Sequence, residues 1–109
     1  MTVECFAKCS GFKTVCMPVP EKEIFGAYIG DLLSWVMGRA ESGNLWITIM
    51  TNINTVAVAT LADISCIILA ENVQLDSDAL EAAKQKGINV LSSAASAYEI
   101  AVKASGIIT

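Results

Sequence analysis

Two apolar blocks dominate the middle of the chain, LWITIM from Leu45 to Met50 and CIILA from Cys66 to Ala70. The first is apolar on both pleat faces, with Leu45, Ile47 and Ile49 on one side and Trp46 and Met50 on the other; the second is unbroken. Strands covered on both faces read this way, as in the middle of a parallel sheet. Between the blocks Ile53, Val56, Ala57, Thr60, Leu61 and Ile64 recur at helical spacing, with Val58, Ala59 and Ala62 on the remaining side. Such a helix has almost no solvent face.

The same reading extends outward. Val3 to Ser10 predicts a short helix stopped by Gly11, and Thr14 to Met17 an extended segment ended by Pro18 and Pro20. Residues 18 to 23 form the expected mobile loop, and IFGAYI the next strand, with Gly26 a point of close backbone approach. Gly30 and Asp31 open a helix through Ala40. Asp31 is its N-cap or first-turn acid, and Leu33, Val36, Met37 and Ala40 face inward. LDSDALEAAKQKG predicts an amphipathic helix with Asp78 and Glu81 at capping-box spacing, Leu80 and Ala83 inward and Gly87 at its end. INVL is a strand. Ser96 and Glu99 repeat the capping box at a last helix, with Tyr98, Ala101 and Val102 as periodic apolar positions and Gly106 as the stop. From the second strand onward each helix is a crossover. The fold class is therefore α/β: one domain over residues 1–109, with a mostly parallel sheet of about four to five strands and helices on both faces. The pattern leaves the strand order open.

Composition adds an expectation about assembly. Apolar residues make up 54% of the chain and charged residues 17%, which leaves little polar surface for a monomer and predicts a homodimer. Val58, Ala59 and Ala62 with Trp35 are the expected interface, unless helices of the same chain cover them. Asp31, Arg39, Asp63 and Glu71 interrupt every run that approaches the roughly 18 apolar residues of a membrane span. Glu4, Lys8 and Lys13 break any leader pattern, so a cytoplasmic protein is expected. Net charge is −4 with seven thinly spread basic residues, which argues against nucleic-acid binding. The chain has no histidine and so lacks the commonest general base and imidazole metal ligand.

Candidate chemistry is sparse. Cys5, Cys9, Cys16 and Cys66 lack the paired spacing of a zinc or iron–sulfur site and read as plain thiols, with a redox or metal role for the first three as the alternative. In a parallel sheet, ligands bind beyond the carboxyl ends of strands. That rule selects Gly30 and Asp31, then Thr51, Asn52, Asn54 and Thr55, then Glu71 and Asn72, then Ser92 and Ser93. These small hydrogen-bonding groups suit a phosphate, sugar or carboxylate; the competing reading is that they cap helices and close turns. No Walker loop or dinucleotide fingerprint is present, and no cofactor or metal is expected. Asp31 and Asp63 are the acids available for acid–base work, but each is better explained as a cap or a solvated helix end.

The segments EIFGAYIGDLLSWVM, GNLWITIMTNINTVAVATLADISCIILAEN and GINVLSSAASAYEIA, spanning Glu23 to Ala101, resemble stand-alone DRTGG-domain proteins. Glu23, Ile24, Phe25, Gly26 and Ala27 stand at the motif that names that family. The Asp–Arg pair is absent and one of two glycines remains, so no ligand contact of that arginine carries over. The resemblance implies a fold similar to the N-terminal domain of HPr kinase/phosphorylase and to domains linked to CBS pairs in some pyrophosphatases. It further implies an accessory, regulatory or dimer-forming role, without the kinase half and its phosphate loop. Similar stand-alone proteins are encoded beside iron-hydrogenase and NADH-oxidising subunits in anaerobic bacteria, which implies a redox-enzyme partner.

Three functional readings follow, in order. The first is a non-catalytic homodimeric module binding a small anionic metabolite or nucleotide at the strand carboxyl ends. The second is an assembly subunit for a larger redox or regulatory enzyme. A small enzyme ranks last, since no base, metal cluster or phosphate loop is identified.

Overall fold

The computed structural model describes residues 1–108. Ten elements follow in the expected order: α1 (Val3–Ser10), β1 (Lys13–Cys16), β2 (Ala27–Ile29), α2 (Leu33–Arg39), β3 (Leu45–Thr48), α3 (Ile53–Leu61), β4 (Cys66–Leu69), α4 (Ser77–Lys86), β5 (Asn89–Ser92) and α5 (Ala97–Ile107). They build a five-stranded sheet of order β1-β5-β4-β3-β2. β2 to β5 are parallel neighbours in sequence order, and β1 joins β5 antiparallel.

This order decides where the helices lie. Crossovers of one hand that always step to the next strand in one direction place α2, α3 and α4 on the same face. Val36, Val56, Ala59, Ala79 and Ala83 from these helices pack there on Trp46, Ile67, Leu69 and Val90. The other face is covered by α1 and α5, whose Val3, Phe6, Ile100 and Ala104 pack on Leu45, Ile47, Cys66, Ile68 and Leu91. Alternate residues of β3 and β4 thus serve two cores, as their unbroken apolar runs predict.

Helix ends follow local chemistry, with corrections. Thr2 caps α1 and left-handed Gly11 ends it, and the Ser96–Glu99 capping box forms at α5. Asp31 does not cap α2; Leu32 occupies that position, and Asp31 turns back to the sheet. Asp76, not Asp78, is the N-cap of α4, and α5 runs through Gly106 to Ile107. Three helix faces also differ from the periodic reading. In α3, Val58 and Ala59 are buried while Ile53, Ala57 and Leu61 are exposed; in α5, Ile100 and Ala104 point inward and Tyr98 and Val102 outward. In α2, Met37 is exposed.

The segment from 18 to 23 is tied down rather than loose. Buried Asn89 accepts from the Val19 N–H (2.9 Å) and donates to the Val19 and Ser65 carbonyls (2.7 and 3.0 Å). Val3 and Glu4 donate backbone bonds to Lys22 and Pro20, and Lys22 pairs with Asp63 at 2.7 Å.

Candidate functional site

The connections after β4 and β5 leave the sheet in opposite directions, to α4 on one face and to α5 on the other. A crevice opens where adjacent parallel strands diverge in this way. Beside that point lies a cleft of about 320 Å³, lined by Lys13, Thr14 and Val15 of β1, Ser92 of β5, residues 72–75 and Leu80 of α4. Its wall combines the Lys13 ammonium, the Asn72 and Gln74 amides and the Thr14 and Ser92 hydroxyls with apolar Val15, Val73, Leu75 and Leu80. Among the described residues no carboxylate pairs with Lys13. This donor set suits a small anion carrying an apolar or ring portion, and the volume lies in the range of small-molecule sites.

The cleft's rim is strained. Glu71 and Asn72 both adopt left-handed backbone, φ 59° and 58°. Such a conformation costs a non-glycine residue about 1–2 kcal/mol, though Asn tolerates it better than Glu. Three backbone bonds impose it: Glu71 N–H to Ala95 O, Asn72 N–H to Ser93 O and Ser93 N–H to Leu69 O, each 2.9 Å.

The remaining residues selected from sequence do not join this site. Gly30 and Asp31 follow β2, three strand spacings from β5, so about 14 Å separates them from Ser92. Asp31 accepts from the Thr48 hydroxyl (2.8 Å) and the Ile49 N–H (3.0 Å), and the Gly30 carbonyl accepts from the Trp46 indole at 2.9 Å. The Asn52 side chain accepts from the Asn54 and Thr55 N–H groups and so occupies the α3 terminus itself. The Thr55 hydroxyl is buried without a hydrogen-bond partner. Thr51 donates to Asp76, and the Ser93 hydroxyl accepts from the Ala95 N–H. Capping and turn closure thus account for most of the polar set; Asn72 and Ser92 are the members that line the cleft. Lys13 escaped sequence reasoning because only the antiparallel pairing of the first strand with the last places it opposite Ser92.

Of the expected interface residues, Trp35 is exposed with the Arg39 guanidinium stacked 4.2 Å above its ring. Val58 and Ala59 are buried and Ala62 packs against the same core, so the chain's own helices cover them. A second, shallower depression of about 670 Å³ surrounds the start of β2, bounded by Phe25, Ala27, Tyr28, Arg39 and Glu41. The residues standing at the degenerate motif, Ile24 to Ala27, line it.

All four cysteines are free thiols. Burial pushes the Cys16 and Cys66 thiols up, and desolvation with the neighbouring Cys5 does the same for Cys9. Raised values oppose the thiolate that redox and metal chemistry use. Among the described residues no group of three or more Cys, Asp or Glu side chains converges as a metal-binding set, and no helix is long and apolar enough to cross a membrane.

No protein-family model matches the chain, and no curated protein matches it in sequence. In structure it is similar to the CBS and DRTGG domains of the regulatory region of Clostridium perfringens pyrophosphatase, solved with the activator diadenosine tetraphosphate. The TM-score is 0.68 at 12% identity; the match covers 98% of this chain and 46% of that one, so this chain spans less than half of its neighbour. That likeness supports a DRTGG-like α/β fold.

Proposed function

We propose that this chain is a non-catalytic regulatory module of the cytoplasm, homodimeric, that binds a small anionic metabolite or nucleotide at the carboxyl end of the sheet. The observation that carries the reading is the cleft between β1 and the β4–α4 connection, where unpaired Lys13 faces an apolar wall under the strained Glu71–Asn72 rim. Left-handed residues held against their preference often mark ligand clamps. The neighbour's complex with diadenosine tetraphosphate makes adenine nucleotides the first ligands to try. Lys13 supplies a counter-charge for phosphate, Asn72 and Ser92 supply hydrogen bonds, and Leu75 and Leu80 an apolar surface for a base.

Thermal unfolding with a panel of adenine nucleotides, inorganic phosphate and small carboxylates tests this. A stabilising member is expected, with its effect lost in Lys13→Ala and reduced in Asn72→Ala. No shift across the panel, or a shift that survives Lys13→Ala unchanged, overturns the ligand assignment. The exposed Trp35 flank favours a second reading, an assembly subunit for a larger redox or regulatory enzyme. Its test is partner capture, which Trp35→Glu abolishes if the reading holds.

A further inference from the structure

β2 ends the sheet with its outer side open. Leu45 donates to the Gly26 carbonyl (3.0 Å) and Gly30 donates to the Ile47 carbonyl (3.2 Å), so the even-numbered residues bond inward to β3. By alternation Ala27 and Ile29 turn their N–H and C=O groups away from the sheet, and among the described residues no strand lies beyond them. Neither proline, lysine nor bulge protects this edge. Large apolar side chains crowd it: Phe25, Ile29, Leu32 and Trp35 are 66, 48, 62 and 54% exposed. Leu32, Trp35 and Arg39 share one flank of α2 through their three- and four-residue spacing. Arg39 lies in the depression with Ala27 and Tyr28, which fixes that flank toward β2.

We propose that this edge docks a second copy of the chain, the two β2 strands running antiparallel about a two-fold axis at Tyr28. Ala27 of one copy lies opposite Ile29 of the other, each pair exchanging two backbone hydrogen bonds, and two five-stranded sheets become one of ten strands. An antiparallel axis brings the start of one β2, where Arg39 and Glu41 lie, to the far end of the other, whereas a parallel pairing sets Arg39 against Arg39 and Glu41 against Glu41.

The available area is sufficient. Aromatic side chains present about 150–250 Å² each when fully exposed, so Phe25 and Trp35 with Ile29 and Leu32 offer roughly 400 Å² of apolar surface per copy. Interfaces are about 60% apolar, which corresponds to about 650 Å² per copy. That reaches the lower part of the range for specific interfaces, about 600–1,000 Å² per partner. The proposal rests on the homodimer half of the reading above and is independent of the ligand cleft.

Native mass spectrometry of the wild type, Ile29→Lys and Tyr28→Cys tests it. The wild type is expected to be dimeric and Ile29→Lys monomeric with an unchanged circular dichroism spectrum. In antiparallel pairing Tyr28→Cys faces its own copy at a position where Cα atoms approach about 4.5 Å, so mild oxidation yields an intersubunit disulfide. Peptide mapping separates that link from any through Cys5 or Cys9. A dimer that survives Ile29→Lys and gives no link at position 28 overturns this surface but leaves the homodimer standing. A monomeric wild type overturns both and leaves the ligand cleft untouched. Should Ile29→Lys not fold, hydrogen exchange of the wild type decides: dilution-dependent protection at Ala27 and Ile29 supports the pairing, and fast exchange in the dimer overturns it.

Discussion

The sheet has two edges, and the chain treats them differently. β1 carries Lys13 at its start and a register irregularity between Thr14 and Cys16, and the turn that follows is clamped by Asn89. Charge and irregularity are devices that stop a strand edge from templating another chain. β2 has neither, and its neighbours Phe25, Leu32 and Trp35 are apolar and exposed. The guarded edge borders the candidate cleft, and the bare edge has the features of a protein contact.

The largest expected effect comes from breaking the guarded side at its anchor. Asn89→Ala removes three hydrogen bonds and leaves the half-buried Val19 N–H and the buried Ser65 carbonyl without these partners, while the Val19 carbonyl keeps the Lys22 N–H, for a loss of about 3 kcal/mol in chemical denaturation. A loss below about 1 kcal/mol would show that the turn holds without its clamp.

Gly43→Ala acts on the bare side and should cost less. Gly43 has φ +85°, and a Cβ there would sit 2.7 Å from the Phe25 ring, so substitution strains the backbone and displaces Phe25. A destabilisation of about 1–3 kcal/mol is expected by thermal unfolding. Exchange protection in β1 and β5 should persist below the unfolding transition. Equal loosening of both edges would mean that they do not behave as separate regions.

The smallest effect is electrostatic and sits behind the β2 side. Hydrogen bonds from Lys22 and then Ser42 hold the Asp63 carboxyl below its usual value. A depressed folded-state value stabilises the fold above the unfolded carboxylate range, and that contribution disappears as pH falls through the folded value, below about pH 4. Asp63 is largely solvated, so Asp63→Asn should remove less than about 1 kcal/mol at neutral pH and flatten part of the acid limb. Glu99 shifts in the same direction through the Ser96 amide and hydroxyl, so some acid sensitivity remains in the variant. An acid limb identical to wild type would exclude the Lys22–Asp63 contact from the folded state in solution.

The alternation of elements was legible because buried strands and helix caps leave local signals. Gly11, and Ser96 with Glu99, mark helix ends through groups three or four residues apart. The inner face of α3 was not legible, because a helix apolar nearly all round lacks the contrast that orients it: Ile53 and Leu61 look as core-like as Val58. Asp31 has the local features of a cap, yet Thr48 and Ile49 claim its carboxylate across the sheet. Two of the nine residues that line the candidate cleft, Asn72 and Ser92, were visible. Lys13 was not, since no local pattern states that the first strand pairs with the last.

That pairing has a consequence for synthesis. A nascent chain exposes β1 early, but its strand partner is β5, whose Val90 to Ser92 emerge more than seventy residues later. The parallel strands between them can assemble in order as they leave the ribosome, each adding beside the one before. β1 has to wait, and such long loops slow folding because their closure precedes any reward from contact. During that wait the charge of Lys13 discourages an unpaired strand from finding another nascent chain first.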